Sequence, residues 1–161
     1  MQDTFQKNIY DLVTKSNLTY KNYWLQLLER NQLNADKFRA IANKITNQLT
    51  IHQKRIELLT SLKISYPENL PVSQEIEELK KLVHKHQVVI VCGETGSGKT
   101  TQLPKMLLEM GYANNGIIGH TQPRRIAARS LATRIASEIG DVAQQIVAYK
   151  MRFNDKTGST T

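Results

Sequence analysis

The sequence predicts an α/β protein: a partial parallel sheet with flanking helices, preceded by an all-α N-terminal extension. Three observations predict it. From Asp3 to Leu62 the apolar residues recur at steps of three and four, the spacing of helices. Ser65-Tyr66-Pro67-Glu68-Asn69-Leu70-Pro71 then breaks the pattern with two prolines, which separates residues 1–64 from residues 65–161. Beyond that break, short apolar runs alternate with amphipathic stretches, the order that joins parallel strands by crossover helices.

In the first region, Asp3 to Lys15 forms a helix with Phe5, Ile9 and Leu12 on one face, and Ser16-Asn17 interrupts it. Tyr20 to Arg30 forms a second helix that gathers Tyr23, Trp24, Leu27 and Leu28. The third runs from an Asn34 cap to about Leu62. It places Phe38, Ala42, Ile45, Leu49, His52, Ile56 and Leu59 at alternating steps of four and three, a heptad seam suited to packing on another helix. His52 reads as a tolerated polar position on that seam. Lys37, Arg39, Lys44, Lys54 and Arg55 occupy the polar side, a solvated face that also suits RNA phosphates.

In the second region, Ser73 caps a helix through about Lys85, with Ile76, Leu79, Leu82 and Val83 inward and Glu77 with Lys81 as an i,i+4 pair. The expected strands are Val88 to Cys92, Gly116 to His120 and Gln145 to Tyr149. After the first strand a helix presents Leu103, Met106, Leu107 and Met110 and ends at Gly111. After the second, a helix turns Ile126, Leu131 and Ile135 to its apolar side.

Between the first strand and its helix stands Gly93-Glu94-Thr95-Gly96-Ser97-Gly98-Lys99-Thr100, a complete GxxxxGK[ST] phosphate loop followed by Thr101. A loop that wraps its backbone around a polyphosphate cannot carry side chains at every position, so Gly93, Gly96 and Gly98 supply permissive backbone. Their N–H groups, with the N-terminus of the next helix, form an anion nest. Lys99 is expected on the β- and γ-phosphates of ATP and Thr100 on Mg²⁺. An ordinary Gly-rich turn has no use for the Lys-Thr pair.

Gln122-Pro123-Arg124-Arg125 follows the second expected strand and opens a helix, at the edge of an open sheet where ligands bind. Two adjacent arginines beside a first helical turn suit nucleic-acid phosphates; exposed arginines after a Pro at N1 are the plain alternative. The net charge of +8 and pI near 9.6 agree with a polyanionic partner. Residues 1–65 carry 10 Lys/Arg against 5 Asp/Glu, and residues 66–161 carry 12 against 9. No apolar run approaches the roughly 18 residues of a membrane span, and no secretory signal pattern is present, so a cytoplasmic location is expected. A single cysteine excludes an internal disulfide, and Cys92 reads as a small buried residue at a strand end. His84 and His86 lack a cysteine partner and read as a solvated helix end.

Taken together, GETGSGKTTQLPK, GHTQPRRIAARSLATRIASE and VAYKMRFND resemble the first RecA-like domain of DEAH-box RNA helicases, and YPENLPVSQ with HQVVIV resembles the bacterial HrpA type of ATP-dependent RNA helicase. The likeness covers residues 66–161 closely and the helical extension more loosely. It implies a P-loop NTPase fold and an ATP-driven enzyme that moves along or unwinds RNA. By that resemblance residues 93–101 bind the nucleotide, Gln122, Pro123, Arg124 and Arg125 grip the RNA backbone, and Arg134 stacks on the adenine. Ala148 stands where the family usually has Gly.

Hydrolysis in this family needs an acidic pair at the end of a later strand. The acidic residues after Lys99 are Glu109, Glu138, Asp141 and Asp155, and none ends an apolar run. The sequence is therefore expected to be an N-terminal fragment, a truncated first RecA-like domain without the DEAH motif, inactive alone and exposing an unpaired sheet edge. Two other functions fit parts of the pattern. One is a non-enzymatic RNA-binding or ribosome-associated module. The other is a small nucleotide kinase, which leaves Gln122 to Arg125 without a role.

Overall fold

The computed structural model describes residues 2–16 and 21–158. Asn17 and Tyr20, at the expected first break, lie outside the described residues. The chain divides into two compact units, Met1–Glu57 and Leu58–Thr161.

The first unit is built from α1 (Gln2–Lys15), α2 (Lys21–Asn31) and most of α3 (Ala35–Thr60). Asn34 starts α3 as its spacing predicts: its Oδ1 accepts the Lys37 N–H at 3.0 Å, satisfying a donor that the helix leaves orphaned. The buried core comprises Ile9, Val13, Leu28, Phe38, Ile41, Ala42 and Ile45. Phe38 sits at its centre, with its ring centroid 6.3 Å from Phe5 and 6.2 Å from Tyr10. The face of α1 differs from expectation. Ile9 and Val13, four residues apart, are buried, while Phe5 and Leu12 stay exposed at the margin. On α3 the seam is buried at Phe38, Ala42 and Ile45 and half-buried at Leu49 and His52.

The second unit contains α4 (Pro71–Gln74), α5 (Ile76–Lys85), α6 (Lys99–Glu109) and α7 (Arg125–Ile139), then a 3-10 turn at Asp141–Gln145. Pro71 starts α4 two residues before the expected Ser73 cap, since its fixed φ suits the first helical position. The Ser73 hydroxyl is instead buried without a hydrogen-bond partner. Glu77 pairs with Lys80 at 2.6 Å and Glu78 with Lys81 at 3.4 Å, both i,i+3, in place of the expected Glu77–Lys81 pair. Lys80 turns that way because it also meets Glu109 of α6 at 2.9 Å. Gly111 ends α6 as expected. Its φ of 79° lets its N–H reach Leu108 O at 2.9 Å and the Tyr112 N–H reach Leu107 O at 3.1 Å, the two bonds of a Schellman cap.

The expected parallel sheet is not present among the described residues. Residues 88–92, 116–120 and 145–149 form no strand, and the one sheet is a short antiparallel pair, β1 (Lys150–Met151) with β2 (Asn154–Asp155). Parallel strands are held by burial on both faces. Here the helices bury their apolar faces against one another: Val72, Ile76 and Leu79 close on Met106, with Val91 alone of the first apolar run packing against them. Val88, Ile90 and Ile117 are left 77%, 85% and 75% exposed. Cys92, expected to be buried, is exposed for the same reason. No described helix is long and apolar enough to cross a membrane.

Candidate functional site

The GxxxxGK[ST] segment forms a closed loop between residue 92 and α6. Its closure begins with backbone: the Ser97 N–H donates to Glu94 O at 3.3 Å, and Ser97 O accepts the Val72 N–H of α4 at 3.1 Å. Gly96 and Gly98 adopt φ of 87° and 92°, a left-handed backbone that side chains disfavour. Gly98 is doubly constrained, since a Cβ there would stand 2.9 Å from Leu70 Cδ1 and 3.0 Å from Val72 Cγ1. Gly93 lies against the lysine, its would-be Cβ 3.5 Å from both Lys99 Nζ and Ser97 Oγ. Gly98 thus lets the main chain approach Leu70 and Val72, while Gly96 stands in open space and is needed for its backbone conformation alone.

Lys99, the first residue of α6, folds back into the loop. Its ammonium donates to Gly93 O and Glu94 O, each at 2.7 Å, and to Ser97 Oγ at 3.0 Å. A cation is thus held at the mouth of a glycine loop on the N-terminal end of a helix, where the helix dipole is also positive. Thr100 is exposed beside it, while Thr95 and Glu94 lie on the outer surface of the loop. Further along α6, Pro104 has no N–H to give to the Thr100 carbonyl. The residues present fit a triphosphate and a hard cation: positive charge, a permissive main chain and an exposed hydroxyl in one loop.

The turn after the loop is tied to α7. Thr101 Oγ1 donates to Gly98 O at 3.2 Å and accepts from Gln102 Nε2 at 2.9 Å. Gln102 Nε2 also donates to Glu138 Oε2 at 2.9 Å, and Gln102 Oε1 accepts from Lys105 Nζ at 2.9 Å. Lys105, 1% exposed, completes its pairing on Glu138 Oε2 at 3.0 Å. The other oxygen, Glu138 Oε1, accepts from Arg134 Nε at 2.7 Å. Burial works against the charged carboxylate of Glu138. The hydrogen bonds from Arg134, Gln102 and Lys105 outweigh that effect and bring its pKa down to about 2.

Residues Gln122 to Arg125 stand at the start of α7. Arg124 is the N-cap in an extended conformation, its carbonyl accepting the Ala128 N–H at 3.1 Å, and both Arg124 and Arg125 are exposed. Gln122 Nε2 lies 2.8 Å from His120 Nε2, a contact that uses the neutral imidazole, and burial pushes the His120 pKa down. The structure thus joins Arg134 to the turn after the loop, while Gln122 to Arg125 make their hydrogen bonds within their own segment. Gln102, Lys105 and Glu138 were not singled out by sequence. The Arg134–Glu138 spacing of four was a legible ion pair. Nothing local marked Lys105 as buried.

No family model matches the chain. Over 125 residues, 76% of its length, it is 54% identical to the ATP-dependent RNA helicase HrpA homolog of Haemophilus influenzae. Over 98 residues, 61% of its length, it is 54% identical to the ATP-dependent RNA helicase HrpA of Escherichia coli K12. The chain spans 10% of the first relative and 8% of the second, about a tenth of their length.

Proposed function

Because this chain belongs to the HrpA-type helicase family, we propose that it carries the nucleotide-gripping loop and one RNA-contacting turn of an ATP-dependent RNA helicase. Residues 65–161 serve as the ATP-binding segment and residues 1–64 as a basic helical extension. The observation that carries this proposal is the Lys99 ammonium, 2.7 Å from Gly93 O and Glu94 O in a loop whose Gly96 and Gly98 are left-handed.

In the proposed site, residues 93–101 wrap the β- and γ-phosphates with main-chain N–H groups, and Lys99 turns its ammonium from the loop carbonyls onto phosphate oxygens. The Thr100 hydroxyl offers an oxygen ligand to Mg²⁺. A magnesium ion held there would neutralise phosphate charge. Arg134 stands at the surface of α7 as the candidate adenine contact. Arg124 and Arg125, with the N-terminal turn of α7, hold RNA phosphates, while Gln122 and Pro123 shape the approach. The cytoplasm is the compartment that this function implies, and the ribosome is one partner that it allows.

Turnover is assigned to the longer helicase and not to this chain alone. Of the four acidic residues after Lys99, Glu109, Glu138 and Asp155 each pair with a cation, Lys80 at 2.9 Å, Lys105 at 3.0 Å and Lys150 at 2.7 Å. In a protein that carries this chain at the length of its relatives, Lys99→Ala is expected to abolish RNA-stimulated phosphate release. Arg124→Ala with Arg125→Ala should raise the RNA concentration needed for half-stimulation and flatten its salt dependence. Undiminished phosphate release by Lys99→Ala would refute the proposal.

A further inference from the structure

A carboxylate of α7 that no catalytic role claims meets the helix that follows the candidate phosphate loop. Glu138 divides its two oxygens: Oε1 takes Arg134 of its own helix, and Oε2 takes both Gln102 and Lys105 of α6. The contacts continue without interruption into the loop. Gln102 holds Thr101 Oγ1, and Thr101 Oγ1 holds the carbonyl of Gly98, the left-handed residue that immediately precedes Lys99. The Gly98 carbonyl also accepts the first helical N–H bonds, from Thr101 at 3.1 Å and Gln102 at 2.9 Å. We propose that Glu138 is a positioning residue for the triphosphate cradle, fixing the first turn of α6 and with it the backbone of Gly98 and Lys99.

The physical case rests on what the network costs if it serves stability alone. A buried ammonium and carboxylate lose more hydration than their attraction returns in many proteins, and well-packed apolar side chains of similar size hold such a site as well or better. Lys105 and Gln102 are fully buried, so two polar groups have been placed where Met or Leu would serve packing. What apolar replacements cannot do is direct a hydrogen bond onto Thr101, and through it onto the Gly98 carbonyl. A flexible first turn would let the Lys99 backbone shift, and a cradle loses its grip when its donors move by about an ångström.

This inference rests on the triphosphate role proposed above, and its test separates the two. The probe is magnesium tripolyphosphate, titrated into the full chain by calorimetry, with thermal melting measured in parallel. The unsubstituted chain binds it and Lys99→Ala does not; absence of binding by the folded unsubstituted chain overturns both proposals. Glu138→Gln weakens binding about tenfold, the range for hydrogen bonds to a charged group, and also lowers the melting midpoint by leaving Lys105 unpaired. Adding Lys105→Met removes the stranded charge, so the double variant recovers its melting midpoint while its affinity stays about tenfold weaker. Recovery of affinity together with stability shows a merely structural pair and overturns the positioning role. Should neither variant fold, amide exchange of the unsubstituted chain decides: tripolyphosphate must slow exchange in Thr101 to Lys105 and in residues 134–138, and unchanged exchange there overturns the inference.

Discussion

The unit Met1–Glu57 and the unit Leu58–Thr161 respond differently to the same kind of signal, a periodic placement of apolar residues. In the first, each amphipathic stretch becomes a helix and each helix finds a covered face, so Leu28, Phe38 and Ile45 end at 2% exposure or less. In the second, the amphipathic stretches again become helices, but the apolar runs with strand character form no strand and Ile90 is 85% exposed. A helix closes its own hydrogen bonds, whereas a strand depends on a neighbour elsewhere in sequence. Period and composition therefore carry a helix all the way to structure, and carry a strand only as far as a propensity.

The contrast can be tested by substitution, beginning where the largest loss is expected. Phe38→Ala should lower the stability of the first unit by about 4 kcal/mol, read by urea unfolding through the fluorescence of Trp24, the only tryptophan. Glu138→Ala should cost about 3 kcal/mol, because it strands the buried Lys105 ammonium, and helical circular dichroism should report it. The same carboxylate gives an acid signature. Its pKa is about 2 in the folded chain against 4.5 ordinarily, so the unfolded chain binds the proton first and stability falls as pH drops from about 4.5 toward about 2. That loss should shrink in Glu138→Gln, leaving the part due to Glu109, whose pKa, against the effect of burial, is lowered by Tyr66 and Lys80.

Smaller effects distinguish the two left-handed glycines. Gly98→Ala should cost about 2 kcal/mol, since backbone strain adds to the close approach of Leu70, whereas Gly96→Ala, with open space around it, should cost about 1 kcal/mol. Smallest of all, Ile90→Ser should change stability by less than about 0.5 kcal/mol, as for other exposed positions. A loss of several kcal/mol at Ile90 would show a paired, buried strand and remove the contrast between the units.

Much of the site was legible in sequence because its signals are local. Gly96 and Gly98, expected to supply permissive backbone, adopt positive φ, and Gly111 and Asn34 form the caps expected of them. The helical extension was legible for the same reason, apart from the choice of Val13 over Phe5 and Leu12 as the buried face of α1. The Glu77–Lys81 pair was misassigned because Lys80 is drawn across to Glu109 of α6, a partner distant in sequence. The parallel sheet and the burial of Cys92 failed together, because both required a neighbouring strand. Lys105 was invisible: a lysine beside Met106 on a helix reads as solvated until α7 places Glu138 3.0 Å from its ammonium.

The grip of the loop on a triphosphate is tested most directly by titrating a non-hydrolysable ATP analogue into the folded chain, with and without magnesium, and repeating the titration with Lys99→Ala. Magnesium-dependent uptake by the unsubstituted chain, lost in the variant, is the predicted result. Equal uptake by both chains, or none by a demonstrably folded unsubstituted chain, would contradict it.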